Sequence, residues 1–238
     1  MNANQPDSWT TPSSRPDRLP IHEANPPAVE PTTASGDGHV TETGTTIVGL
    51  TTDDAVVLAA DRRASVGGRL VTNKDTRKVQ QLHPTAAAAL SGTVGHLQHF
   101  TRLLRAEARL YENRRDQALT TSALATLAGN VLRSAPLGVT PILGGVDDSG
   151  PAVYSLDGGG GVLSDNYTAG GSGIQLAYGV LEQQYDDGMD VSEGRAVAAR
   201  AVESASERDT ASGNGLTVAT ITSDGVETTD FDDASEVA

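Results

Sequence analysis

The chain has 238 residues, with 31 acidic side chains against 17 basic ones, a formal charge of −14 and no cysteine. That balance argues against nucleic-acid binding, which needs clustered Lys and Arg, and the missing thiols exclude disulfides, thiolate catalysis and Cys-ligated zinc. No apolar run approaches the ~18 residues of a membrane span and the start lacks a basic-then-apolar signal, so a soluble, cytoplasmic protein with no membrane association is expected.

Lys74 and Lys78 are the only lysines, and every other basic residue is arginine. An acidic, lysine-poor surface stays soluble through charge repulsion. It reads as an adaptation to high salt, an ordinary acidic cytosolic protein being the alternative.

Residues 1–44 carry seven of the eleven prolines among Ser, Thr, Asn and acidic residues. Without a periodic apolar pattern such a leader cannot bury enough surface to offset its ordering entropy. It ends at Gly44-Thr45, directly ahead of the β-branched run Thr46-Ile47-Val48. One reading of this junction is the plain start of a strand. The other is a cleavage point that makes Thr45 a new N-terminus. An N-terminal threonine carries its own base, since an α-amino group has a pKa of about 7.7–8.0, close to the optimum for proton transfer at neutral pH. A hydroxyl beside such an amine is a recognised activated nucleophile.

From Thr45 the pattern becomes strand-like: Thr45–Leu50 and Ala55–Ala60 flank the turn Thr51–Asp54. Gly67-Gly68 marks a turn before a short strand at Arg69–Thr72, and Lys78–Leu82 and Ala86–Leu90 form a further pair around His83-Pro84. Over Thr93–Gln117 the period switches to helical, with Leu97, Phe100, Leu104, Ala108 and Tyr111 on one face and Arg102, Arg105, Glu107, Arg109 and Glu112 on the other. A second helix runs over Thr121–Arg133 and stops at Pro136. Strands return at Thr140–Val146 and Ala152–Leu156, and Asp157–Gly161 opens the next connection. Helices at Ile174–Tyr185 and Val191–Glu207, a hairpin of Thr217–Thr222 with Val226–Thr229, and an acidic, solvated tail complete the chain. This order fits two stacked antiparallel sheets, each with a helical layer outside.

Thr45-Thr46-Ile47-Val48-Gly49, Ala60-Asp61-Arg62-Arg63-Ala64-Ser65, Arg77-Lys78, Leu90-Ser91-Gly92, Gly171-Ser172-Gly173 and Arg208-Asp209-Thr210-Ala211-Ser212-Gly213 stand in the order seen in proteasome β subunits. The chain resembles that family from about residue 43 to about 228, and its acidity resembles haloarchaeal members. The resemblance implies an α+β fold, the four-layer αββα sandwich of N-terminal-nucleophile hydrolases. It divides the chain into a removed propeptide over 1–44 and a catalytic domain over 45–238. It also implies threonine endopeptidase activity without metal or cofactor, released by autocatalytic cleavage after Gly44. The implied partners are α subunits, other β subunits in heptameric rings, a proteasome-activating ATPase and unfolded protein substrates.

Asp61 ends a buried apolar run and Lys78 opens a strand, so on their own they read as a structural ion pair. Next to the Thr45 hydroxyl, an ammonium would favour the alkoxide and a carboxylate would hold that ammonium. The segment from Gly67 to Arg77 is one residue longer than in many relatives, which makes Arg77 the competitor for the lysine position. Lys78 is preferred because a basic pair before an apolar residue matches the motif, and because arginine exchanges no proton near neutral pH. By the same resemblance Gly92 supplies an oxyanion-hole N–H, and Ser172, Asp209 and Ser212 surround the threonine amine. The resemblance also implies that Ala64 and Ser65 bind the substrate backbone and begin the side-chain pocket, and that Leu90 and Val94, otherwise plain core residues, line it, an apolar pocket that would favour cleavage after hydrophobic residues. His96 stands where an acidic residue is common. Two other classes are a non-catalytic ring subunit, expected to lack Thr45, Asp61 or the lysine, and a small-molecule amidohydrolase on the same fold, active without an α partner.

Overall fold

The computed structural model describes residues 44–135 and 137–237. The leader expected over residues 1–44 lies outside the described residues, Gly44 excepted. Twelve strands and four α-helices follow among the described residues. The first block holds β1 (Thr46–Thr51), β2 (Val56–Asp61), β3 (Ala64–Val66), β4 (Leu70–Asn73), β5 (Val79–His83) and β6 (Ala86–Gly92). Helices α1 (Val94–Arg115) and α2 (Thr121–Ser134) precede β7 (Val139–Asp147), β8 (Gly150–Leu156), β9 (Val162–Asp165) and β10 (Tyr167–Gly171). Helices α3 (Ile174–Gln184) and α4 (Val191–Ser206) then lead to the hairpin of β11 (Leu216–Thr222) and β12 (Gly225–Phe231).

The strands build two five-stranded sheets, ordered β10-β1-β2-β11-β12 and β5-β6-β7-β8-β9, and every pairing is antiparallel. Side chains alternate across a strand, and in the central strands here both alternating sets are apolar. In β1 and β2, Ile47, Val56, Leu58 and Ala60 face the second sheet, where they meet Ala87, Ala89, Ile142 and Val153. Their neighbours Val48, Leu50, Val57 and Ala59 face outward onto Ala177 and Leu181 of α3 and Val202 of α4. On the other side Phe100, Leu104, Leu124 and Leu132 of α1 and α2 cover Ala88, Leu90 and Leu143. The result is the four-layer αββα sandwich, with one core between the sheets and one beneath each helical layer. This double cover explains why Val56–Ala60 reads as a continuous apolar run rather than an alternation.

Helix ends follow local chemistry. The Thr120 hydroxyl accepts the Ala123 N–H at the start of α2, and Asp190 and Glu193 form a reciprocal capping box on α4. Asp116 closes α1 in the left-handed region at φ 47°.

Three strands were not expected from the sequence: β3, β9 and β10. β9 reads Val-Leu-Ser-Asp and is exposed at all four positions, and β10 reads Tyr-Thr-Ala-Gly-Gly, so neither carries an apolar stretch long enough to mark a strand. Both are edge strands whose identity comes from backbone pairing, β10 with β1 and β9 with β8. The acidic residues of the tail, Asp230 among them, are exposed as expected, but the segment is tied to the fold. Asp230 lies in β12 and accepts the Thr217 hydroxyl at 2.7 Å, while Ala234 and Val237 are buried against the outer core. Asp232, Asp233 and Glu236 are exposed.

Candidate active site

One end of the sandwich gathers groups from both sheets. Thr45 immediately precedes β1, and β1 pairs with β2 through Ile47↔Ala60, so Asp61 comes beside Thr46. The Thr46 N–H donates to Asp61 Oδ1 at 2.9 Å. On the second sheet, Lys78 leads into β5 and its carbonyl accepts the Leu90 N–H at 2.9 Å. Its ammonium crosses to the first sheet and donates to Asp61 Oδ1 at 2.7 Å, with the two side chains 3% and 0% exposed.

Asp61 accepts two more donors at Oδ2, the N–H groups of Arg63 at 3.1 Å and Gly213 at 2.9 Å. Burial pushes this carboxyl up, opposed by the Lys78 charge, the Lys78 hydrogen bond and the backbone donors. Four N–H donors converge on it, which leaves no acceptor for a carboxylic proton. We therefore take the carboxylate as the form held in the site. Burial pushes the Lys78 ammonium down, against the pull of Asp61 and the more distant Asp209. A lysine lowered in this way is better suited to exchanging a proton than a free one.

Thr45 itself is buried. Its hydroxyl donates to the Gly44 carbonyl at 2.7 Å, and its N–H donates to Ser172 Oγ at 3.0 Å. The Ser172 hydroxyl in turn donates to Asp209 Oδ2 at 2.5 Å. The same carboxylate oxygen accepts the Ser212 hydroxyl at 2.6 Å, and Ser212 Oγ lies 2.8 Å from Thr46 Oγ1. Asp209 thus ties the nitrogen of Thr45 and the side chain of Thr46 into one relay. Register explains the approach of Ser172: β10 pairs with β1 through Thr46↔Gly171, so the residue after β10 faces the residue before β1.

Gly92 ends β6 at φ +138°, and a Cβ there would meet the Gly138 oxygen at 2.1 Å, so glycine is required. Gly44, Gly92, Ser172 and Asp209 line one cleft of about 740 Å³. The bond between Gly44 and Thr45 therefore sits at the same opening as the Gly92 backbone. Gly44 is equally constrained, since a Cβ would stand 1.7 Å from Ala211 Cβ and 3.1 Å from Ser172 Oγ.

Ala64, Leu90 and Val94 line a separate pocket of about 570 Å³, whereas Ser65 is buried with its hydroxyl 3.5 Å from the Ala211 carbonyl. Arg77 is 72% exposed at the rim of that pocket and reaches Asp230 at 3.4 Å. Of the two basic neighbours, Lys78 is the one against Asp61. His96 Nδ1 accepts the Gly138 N–H at 3.1 Å, which ties α1 to the strand-entry loop opposite Gly92. Among the described residues no group of three His, Asp or Glu is placed to hold a metal.

Two site residues carried no assigned role in the sequence reading. Arg63 donates to Asn214 Oδ1 and to the Thr210 carbonyl, both at 2.9 Å, and so braces the loop that presents Ser212 and Gly213. Thr46 supplies both a backbone donor to Asp61 and a hydroxyl contact to Ser212. Its place next to the junction was the available signal for Thr46, and nothing local marked Arg63.

A family model described as "Proteasome subunit" matches residues 41–221. The chain is 55% identical over 206 residues to "Proteasome subunit beta" of Halorhabdus utahensis, covering 86% of this chain and 88% of that protein. It is 58% identical over 196 residues to "Proteasome subunit beta 2" of Haloarcula marismortui, covering 82% and 85%. A further relative, "Proteasome subunit beta 2" of Haloterrigena turkmenica, is 55% identical over 201 residues, covering 83% and 85%.

Proposed function

The chain belongs to the proteasome subunit family, and from that premise we propose that it is a catalytic β subunit, a threonine endopeptidase that switches itself on by cleaving after Gly44. The observation that carries this reading is the double engagement of Thr45. Its hydroxyl rests on the carbonyl of the preceding residue and its nitrogen rests on the Ser172–Asp209 pair.

In the uncleaved chain the Thr45 nitrogen is an amide and cannot act as a base. Activation then requires Thr45 Oγ to add to the Gly44 carbonyl carbon while its proton leaves. The C–N bond breaks as the nitrogen takes up a proton, which frees the amine, and water then hydrolyses the resulting ester, which releases the leader with a Gly44 carboxylate and frees the Thr45 hydroxyl. In the processed enzyme that amine takes the hydroxyl proton as Oγ attacks a substrate carbonyl, and returns it to the departing amine of the product. Water then cleaves the acyl-enzyme and regenerates Thr45. The Gly92 N–H is assigned to the oxyanion, where a preorganised donor is worth about 10²–10³ in rate. Asp61 holds the Lys78 ammonium, whose positive charge favours the oxygen as it loses its proton. Ser172, Asp209 and Ser212 orient the amine.

The same reading gives the chain its partners: β subunits in seven-membered rings, flanking α subunits, an ATPase that feeds unfolded protein, and a cytoplasmic setting. None of the described helices is long and apolar enough to cross a membrane. Intact mass of purified, assembled particles tests the processing step. A chain beginning at Thr45 is expected, and active particles that keep residues 1–44 would sink the reading.

A further inference from the structure

The pocket lined by Ala64, Leu90 and Val94 is not apolar throughout. Arg77, Arg102 and Arg105 also line it, with Asp75 as the single carboxylate. That carboxylate is already engaged from outside by Arg62 at 2.6 Å. Arg105 donates to the neutral Gln81 carbonyl, which leaves its charge uncompensated. Arg77 has a loose, exposed contact with Asp230 at 3.4 Å and a longer-range attraction to Asp75. The Arg102 side chain makes no hydrogen bond or ion pair with any described residue. It follows Thr101, whose hydroxyl is turned into the helix onto the Leu97 carbonyl. Three of only 17 basic residues in a chain of net charge −14 thus converge on one pocket.

The pocket opens beside the chemistry. Leu90 is bonded to the Lys78 carbonyl and lies two residues before Gly92, and Thr76 is bonded to the Arg62 carbonyl next to Asp61. Resting on the endopeptidase reading above, we propose that this pocket accepts acidic side chains from the residue preceding the cleaved bond, with Arg102 and Arg77 holding the carboxylate. Leu90 and Val94 form the apolar wall that seats the methylenes of glutamate, and they equally seat leucine. Arginine suits the task because its planar fork binds carboxylate through two parallel N–H donors. In concentrated salt the Debye length falls to about 3 Å, so selectivity here comes from direct contact and not from steering at a distance.

The test uses the full chain, assembled with its partner subunits, and three peptides that differ only in having Glu, Leu or Lys before the scissile bond. Salt is held fixed throughout. The Glu peptide is expected within about tenfold of the Leu peptide in kcat/KM, and at least about tenfold above the Lys peptide. In the Arg77→Gln/Arg102→Gln double variant the Glu-to-Leu ratio should fall about tenfold or more, the scale of a lost charge-assisted hydrogen bond. A wild type that cuts the Leu peptide but treats Glu no better than Lys overturns the proposal and leaves the endopeptidase reading intact. So does a Glu-to-Leu ratio that the double variant does not move. If none of the three peptides is cut, the endopeptidase reading itself fails and takes this proposal with it.

Discussion

Replacing Lys78 with alanine would leave the fully buried Asp61 without its ammonium partner at 2.7 Å. Breaking a buried ion pair by removing one member costs about 3–5 kcal/mol, because an uncompensated charge stays behind. Asp61 keeps three backbone donors, from Thr46, Arg63 and Gly213, so the lower end, about 3 kcal/mol, is expected. For a domain of this size that corresponds to a fall in Tm of roughly 6–12 °C. Arg77→Ala removes only an exposed contact at 3.4 Å and should cost less than about 1 kcal/mol. The assay is thermal melting at fixed salt and fixed protein concentration, since assembly adds its own stabilisation, run alongside peptidase rates. A Lys78→Ala protein that melts within about 2 °C of wild type, or an Arg77→Ala protein that loses as much activity on the Leu peptide as Lys78→Ala, would refute the reasoning.

Other substitutions probe separate parts of the account. Gly44→Ala places a Cβ 1.7 Å from Ala211 Cβ, so processing should slow sharply, read as persistence of the uncleaved mass over a time course. Gly92→Ala forces an L side chain to φ +138° and into the Gly138 oxygen, and should cost more than about 1 kcal/mol together with most of the activity. Asp147 accepts the N–H groups of Thr121 at 2.7 Å and Ser149 at 2.8 Å. Burial pushes its carboxyl up, but these donors outweigh burial and hold it below its usual value. A depressed carboxyl stabilises fully above its unfolded pKa and loses that contribution as pH falls through the folded one. Asp147→Ala should therefore cost about 0.5–2 kcal/mol at neutral pH, and the gap to wild type should close only below about pH 4; a gap that is constant down to pH 2 would contradict the assignment. Finally, the charge of −14 predicts larger particles with the α subunit at high salt than at low salt, measured by sedimentation.

The layers of the fold were legible because burial on both faces writes itself into sequence as apolar runs such as Val56–Ala60, and the helices because Leu97, Phe100 and Leu104 keep a helical period. Strands β9 and β10 were not, since Val162–Asp165 is wholly exposed and Tyr167–Gly171 ends in two glycines. Pairing with a neighbour, which no local pattern encodes, makes them strands. The candidate site divides the same way. Thr45, Asp61 and Lys78 stood out as a junction, a charge at the end of an apolar run and a rare lysine. Ser172 meets Thr45 across 127 residues of chain, and only the order of family motifs pointed to it. The brace from Arg63 to Asn214 and Thr210 gave no separate signal, because a surface-type residue in a polar motif looks the same whether or not it holds a loop. The cationic side of the pocket lined by Leu90 and Val94 was hidden differently. Arg102 and Arg105 read as the solvated face of an amphipathic helix, and only the packing of α1 beside Thr76 and Arg77 turns that face into a wall.

The claim on which the rest depends is that an exposed Thr45 amine and hydroxyl together form the catalyst. Replacing residues 1–44 with a removable tag that ends at Thr45 isolates it. Peptidase rate is measured in assembled particles before and after tag removal, for wild type and for Thr45→Ala. Activity should appear on removal in wild type and remain absent in Thr45→Ala, with Thr45→Ser retaining part of it. Equal rates from Thr45→Ala and wild type after tag removal would contradict the account.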